Sequence, residues 1–171
     1  MRRVCYSVAM SLDGYVAGPK GEVDWIVVDP EIDFATFFAG YDTVLLGRNS
    51  YEAALQMGGG VGMPGMEAHV ISSTLRQADC PDVSVSDDPA KTVRMLKAKA
   101  GKDIWLFGGG ELFRSLLPLG LVDHVQVAII PVLLGDGVPL LARPAQGAGL
   151  ALAGHRVFDQ TGTVLLDYDV T

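Results

Sequence analysis

Two glycine-led junctions carry most of the chemistry this sequence can be read for. In one, Val44-Leu45-Leu46 runs into Gly47-Arg48-Asn49-Ser50; in the other, Ile104-Trp105-Leu106-Phe107 runs into Gly108-Gly109-Gly110-Glu111-Leu112. An apolar strand that turns through glycine directly into a helix leaves backbone N–H groups free. It also aims the positive helix end at its surroundings, an arrangement suited to an anion such as a pyrophosphate. Arg48 adds directed, charge-assisted donors for a phosphate. A third apolar run ends in the hydroxyl cluster Ile71-Ser72-Ser73-Thr74, with Arg76 close behind. Together the three strand ends fit the phosphates of one extended nucleotide. Each also has a plainer reading: a tight turn that needs no ligand, an arginine paired with a carboxylate, and an ordinary polar loop.

The acids with a possible role in proton transfer or substrate orientation are Asp13, Asp24, Glu31 and Asp33, all in or near the long connection after the first strand. Most loop acids are merely solvated. Gly60-Val61-Gly62-Met63-Pro64-Gly65 spells a dinucleotide fingerprint, but it follows a helical segment and contains a proline where strand, turn and helix are required, so it is rejected. His69, His124 and His155 have no ligand spacing, Cys5 and Cys80 form no CxxC, and neither GxSxG nor a Walker lysine is present. No metal site is expected, and serine-hydrolase and P-loop chemistries lose their support.

These residues need a scaffold, and the composition provides one. With 171 residues, 49% of them hydrophobic, and mean hydropathy +0.31, the chain can bury a core and is neither disordered nor a stapled mini-protein. Its apolar runs, including Val125–Leu134, are too short to span a bilayer. A net charge of -7 argues against nucleic acid, and the sparse cysteines fit a reducing, cytoplasmic setting. The apolar stretch after Arg2-Arg3 is cut at Asp13-Gly14, so it reads as a first strand rather than a secretion signal.

Strands are expected at Arg3–Ala9, Thr43–Leu46, His69–Ile71, Val83–Val85, Ile104–Phe107 and Val125–Ile130. Helices are expected at Phe34–Ala39, Asn49–Gln56, Pro89–Ala100 and Glu111–Leu117, the third capped by Asp87-Asp88 and carrying a solvated basic face. Leu150–Phe158 and Val164–Val170, around Asp159–Gly162, read as an antiparallel hairpin added to a parallel sheet. The reading is one α/β domain over residues 1–171. Because Val125–Leu134 is apolar on both alternating faces, part of it is expected to cover a partner subunit, giving a C2 homodimer through the C-terminal strands.

Four ordered motifs together resemble the dihydrofolate reductase-like superfamily, in the branch of the riboflavin-biosynthesis reductase C-terminal domain. They are Ala9-Met10-Ser11-Leu12-Asp13-Gly14-Tyr15-Val16-Ala17-Gly18, Leu46-Gly47-Arg48-Asn49-Ser50-Tyr51-Glu52, Phe107-Gly108-Gly109-Gly110-Glu111-Leu112 and Pro131-Val132-Leu133-Leu134-Gly135-Asp136-Gly137. The resemblance implies a mostly parallel central sheet flanked by helices, with a C-terminal antiparallel hairpin, binding NADPH along its strand ends. Ala9 and Val16 would line the nicotinamide. Gly47, Arg48, Asn49 and Ser50, with Gly108, Gly109, Gly110, Glu111 and Leu112, would hold the phosphates. Ser72, Ser73 and Thr74 with Arg48 would hold the 2′-phosphate, and the Gly108–Gly109 peptide would be cis. Glu111 stands where these reductases often carry a basic residue, so NADPH and NADH both remain open.

On the substrate side, Met66 takes the place of the arginine that grips a glutamate carboxylate, and a thioether cannot replace a guanidinium. The acid of the family falls on Asp33, with Trp25 and Phe37 beside it, or on Glu31 if no gap is allowed. The implied activity is NADPH-dependent reduction of a small pterin-like or pyrimidine-like heterocycle rather than of dihydrofolate. The alternatives are reduction of a ribosylamino-pyrimidine phosphate in riboflavin biosynthesis, and a non-catalytic NADPH-binding protein.

Overall fold

In the computed structural model, which describes residues 1–58, 61 and 64–171, alternation along the strands separates two faces of one sheet. In β1 (Val4–Ser11), Val4 and Tyr6 are fully buried against helices, while Cys5, Ser7 and Ala9 take the opposite face. The chain continues through β2 (Tyr15–Ala17), α1 (Phe34–Ala39), β3 (Tyr41–Gly47), α2 (Arg48–Gln56), β4 (Glu67–Ile71), β5 (Ser84–Ser86) and α3 (Pro89–Ala98). It then forms β6 (Asp103–Gly108), α4 (Gly110–Leu116), β7 (His124–Ile130), β8 (Val138–Pro139), β9 (Leu150–Phe158) and β10 (Thr163–Val170).

The eight-stranded sheet runs β5-β4-β3-β6-β1-β7-β10-β9. All pairs from β5 to β7 are parallel, and the β9–β10 hairpin joins antiparallel to β7. The expected mostly parallel sheet with its C-terminal hairpin is therefore what the chain forms. The small β2–β8 ribbon, with strands of three and two residues, is too short to leave a pattern in the sequence and adds to that expectation. Half of the rejected glycine fingerprint at 60–65 lies outside the described residues.

The main core packs Val4, Tyr6, Ile104, Leu106, Val125 and Val127 of the sheet against α3 and α4, with Tyr6 stacked on Phe113 at 4.1 Å. α3 starts as the sequence suggests, with the Asp88 carboxylate accepting from Lys91 N at 2.9 Å and Pro89 in the first turn. Below the sheet, the buried Arg2 guanidinium donates to Asp42, to Thr43 Oγ1 and to the backbone carbonyl of Lys102, tying together the starts of β1, β3 and β6.

Within the run Val125–Leu134, the strand Val125–Ile130 is paired and packed inside this chain, while Pro131 and Leu133 beyond it are exposed. β7 is paired on both edges; Val125 and Val127 enter the core, while Gln126, Ala128 and Ile130 line a cleft. The two apolar faces of β7 itself thus serve this chain.

Two acids tie down the loops. Asp13 accepts from Ser11 Oγ at 2.6 Å and from the backbone N–H groups of Leu134 and Gly135, and these hydrogen bonds lower its pKa to about 2. Asp29, 1% exposed, accepts from Glu31 N and from both N and Oγ1 of Thr161, fastening the long connection after β2 to the β9–β10 turn. Cys5 is buried in β1 and its thiol is pushed up to about 11 by that burial.

Stability should respond at two places. Asp13 has a native pKa below its unfolded value, so its contribution is present above pH 3.8 and fades as the pH falls toward 2. Asp13→Asn should therefore lower the melting temperature at pH 7, with the gap to wild type closing over that window in thermal melts. A Cβ at Gly110 would sit 2.9 Å from Pro139 O and 3.3 Å from both Leu140 O and Ala142 N, whereas one at Gly109 would meet only Ser50 Oγ at 3.5 Å. Gly110→Ala should cost about 1–3 kcal/mol in urea unfolding, and Gly109→Ala much less.

Candidate cofactor and substrate cleft

The sheet order sets β3 beside β6, so α2 and α4 begin side by side. Neither start is closed by a side chain: Gly47 and Gly109 occupy the cap positions. By contrast, α1 and α3 are capped by Asp33 and Asp88. Uncapped first-turn N–H groups at the mouth of a cleft are donors awaiting an acceptor. The two junctions lie against each other: a Cβ on Gly47 would be in ordinary contact with Gly109 N at 3.7 Å and Leu112 Cβ at 3.9 Å. Ser50, in the first turn of α2, reaches across toward Gly108 and Gly109, and the peptide between those two residues is cis.

Gly110 has a different place. It is buried beneath Pro139 to Ala142, so packing explains its lack of a side chain.

At the end of the neighbouring strand, Arg48 Nη1 donates to Thr74 Oγ1 at 3.5 Å, and Ser72 Oγ lies 3.3 Å from Thr74 Oγ1. The carboxylate pairing that would explain Arg48 more plainly is not the contact it makes. Glu111 is paired with Arg114 on its own helix at 2.6 Å.

A continuous cleft of about 1840 Å³ runs from Ser72, Ser73 and Thr74 past Gly47–Ser50 and Gly108–Leu112, over Ala9 and Val16, to a chamber beneath α1. Every residue assigned to the nucleotide from the sequence lines it. The chamber walls are aromatic. Phe37 meets Trp105 edge to face at 5.5 Å, and Trp105 meets Phe107 at 5.0 Å. Phe34 and Phe107 are 42% and 40% exposed, and both open onto the cleft. The floor is read off the strand register: Ser7 beside Gln126, then Ala9 beside Ala128, Leu165 and Arg156.

The candidate acids separate clearly. Asp33 lines the chamber, but its oxygens accept from Thr36 Oγ1 at 2.6 Å and Thr36 N at 3.0 Å. Those bonds, the side-chain one foremost, hold its pKa below the usual carboxylate range. Asp33 is thus an anion with acceptor capacity to spare, better suited to orienting an N–H edge than to donating a proton. Glu31 sits outside the lining and pairs with Arg156 at 3.1 Å.

Asp13 holds loops, and Asp24 does not reach the cleft. Trp25 is not brought to the chamber either, which corrects its expected place beside the substrate. Its indole N–H donates to Glu22 O at 3.0 Å, and Val23 and Ile26 line the wall instead. Trp105, Phe107, Ser7, Gln126 and Arg156 line the cleft without standing out in the sequence. The period-two alternation in β1, β6 and β7 is the available pointer, since it sets most of them opposite the core-facing positions. Among the described residues no cluster of His, Cys, Asp and Glu could hold a metal ion, and no helix is long and apolar enough to cross a membrane.

Comparison with known proteins agrees with this architecture. The family model of the RibD C-terminal domain matches residues 2–164. The Bacillus subtilis (strain 168) protein YyaP is 35% identical over 178 residues, covering 98% of this chain and 94% of its own length. Among solved structures, a protein from Shewanella sp. PV-4 superposes with TM-score 0.82 at 24% identity, covering 100% of this chain and 99% of that one. Dihydrofolate reductase from Enterococcus faecalis, complexed with NADP(H), gives TM-score 0.71 at 17% identity, with 99% and 96% covered. The fold is that of dihydrofolate reductase, and the chain belongs to the RibD C-terminal domain family.

Proposed function

We propose that this protein is an NADPH-dependent reductase of a small planar heterocycle, pyrimidine-like or pterin-like. The observation that carries the reading is the pair of uncapped, glycine-led helix starts lying side by side in one cleft. Arg48, Ser72 and Thr74 stand at one end of that cleft and an aromatic chamber at the other. The residues present fit a dinucleotide: free N–H groups of α2 and the Gly108–Gly110 turn for the pyrophosphate, and Arg48 with Ser72–Thr74 for a 2′-phosphate. When bound, the nicotinamide supplies a hydride. Ala9 and Ala128, which are paired across β1 and β7, leave flat space for its ring. Phe34, Phe37, Trp105 and Phe107 hold a planar substrate and exclude water, and Asp33 orients an N–H edge as an ionised acceptor.

A second reading, reduction of a ribosylamino-pyrimidine phosphate, draws on Lys20 and Arg156, two cations that line the same cleft. Assaying the phosphorylated substrate and its dephosphorylated counterpart side by side separates the two. We also place the molecule in a C2 homodimer. The surface that supports it is the edge strand β9, where Leu150, Leu152 and Val157 are exposed, rather than β7. A monomer by light scattering at micromolar concentration would remove that placement.

The central test is NADPH binding followed by NADPH oxidation across pyrimidine and pterin substrates; binding without any turnover would favour a non-catalytic nucleotide-binding protein. Arg48→Ala should weaken NADPH by about 1.5–3 kcal/mol, roughly ten- to a hundredfold, and NADH far less. Equal losses would contradict the 2′-phosphate site. Asp33→Asn keeps a competent helix cap, so it should leave folding and NADPH affinity nearly intact while depressing turnover. If Glu31→Gln abolishes turnover and Asp33→Asn does not, the orienting acid is Glu31.

A further inference from the structure

Ser7 is 7% exposed, on the cleft face of β1, and its Oγ has no hydrogen-bond partner within the described protein. The Tyr41 hydroxyl is near enough for a weak polar interaction with Ser7, but the geometry does not reach that of a hydrogen bond. A buried hydroxyl left unpaired destabilises a fold, so the fold alone gives no reason for a serine here.

Its register partner on β7 is Gln126, which also lines the cleft. Gln126 in turn pairs with Asp167 of β10, donating from Nε2 to Asp167 Oδ1 at 2.6 Å. Asp167 is itself held by His124 Nε2 at 3.3 Å. With one of its two amide N–H groups committed to Asp167, the amide is oriented and its Oε1 is free to accept. One step along the sheet come Ala9 and Ala128, too small to cover this pair. The floor of an otherwise aromatic chamber thus presents one hydroxyl that can donate and one amide oxygen that can accept, side by side.

We infer that Ser7 and Gln126 form a specificity site for the lactam edge of a planar heterocycle, its ring N–H donating to Gln126 Oε1 and its carbonyl accepting from Ser7 Oγ. Asp167 is the positioning residue that sets the amide. The inference deepens the reductase reading, on which it rests, by naming the functional group the substrate shows to the floor. It selects cyclic amides and ureides over fully alkylated or purely aromatic rings, because a site built to hydrogen-bond an N–H rejects analogues that lack it.

The probes are lumazine, which carries free ring N–H groups, and 1,3-dimethyllumazine, in which they are methylated. Each is titrated by tryptophan fluorescence with and without NADPH. Wild type should bind lumazine at least roughly tenfold more tightly than the dimethyl compound. Ser7→Ala and Gln126→Met should erase most of that preference by weakening lumazine, which separates hydrogen bonding from simple bulk. Ser7→Ala should leave the melting temperature unchanged or higher. Three results would overturn the inference: a preference that is absent in wild type or survives both substitutions, failure of lumazine to bind in any condition, or a clear loss of stability in Ser7→Ala. NADPH affinity, measured in the same samples, reports separately on the reductase reading.

Discussion

Parallel strand direction is the constraint on which the rest of this molecule depends. Because β4, β3, β6, β1 and β7 all run the same way, their C-terminal ends share one edge, and the segments leaving those strands must meet one another there. β3 and β6 each pass into a helix with no intervening loop, so two sets of free N–H groups converge within a few ångströms of one another. A side chain at Gly47 or Gly109 capable of capping its helix would satisfy those donors internally. Glycine leaves them for a ligand. The same chain caps α1 and α3, which also begin along the cleft, with aspartate, so the omission is confined to the two glycine-led starts.

The opposite edge has the complementary character. There the charges are paired with each other: Arg2 with Asp42, Arg3 with Asp103, and Lys97 with Asp123, which also accepts from Val4 N at 2.7 Å. Polar groups at the strand starts thus fasten the sheet. Those at the strand ends are left with unused donors. This division assigns the charges at the strand starts to structure and leaves free capacity for binding in the cleft at the strand ends.

The phosphate half of that cleft is legible in the sequence because its cause is local: a strand, a glycine and a helix start are adjacent in the chain, as are Ser72, Ser73 and Thr74. The substrate half is assembled from residues far apart. Ser7 meets Gln126 across 119 positions of chain only through the β1–β7 register, and alternation within one strand cannot say which neighbour shares a face. The sequence points to Trp25 rather than Trp105 for a related reason. Trp25 is close to an acid along the chain, whereas the turn that directs its indole to Glu22 leaves no mark in the pattern of residues. Three glycines in a row look equivalent in the sequence, while in three dimensions Gly110 both lines the cleft and packs under the segment leading out of β8, the contact that leaves no room for a side chain.

Asp29 and Thr161 lie 132 positions apart, and their contact has a temporal side. The wall of the chamber formed by Val23 to Phe37 is fastened through that bond to the turn of the last hairpin, which also contributes Arg156, Phe158 and Leu165 to the cleft. During vectorial synthesis the phosphate-binding part is complete in sequence once β6 and the start of α4 have emerged. The heterocycle half waits for the final twenty or so residues. In the order of the chain, the residues for the phosphates thus precede the last of those that close the chamber.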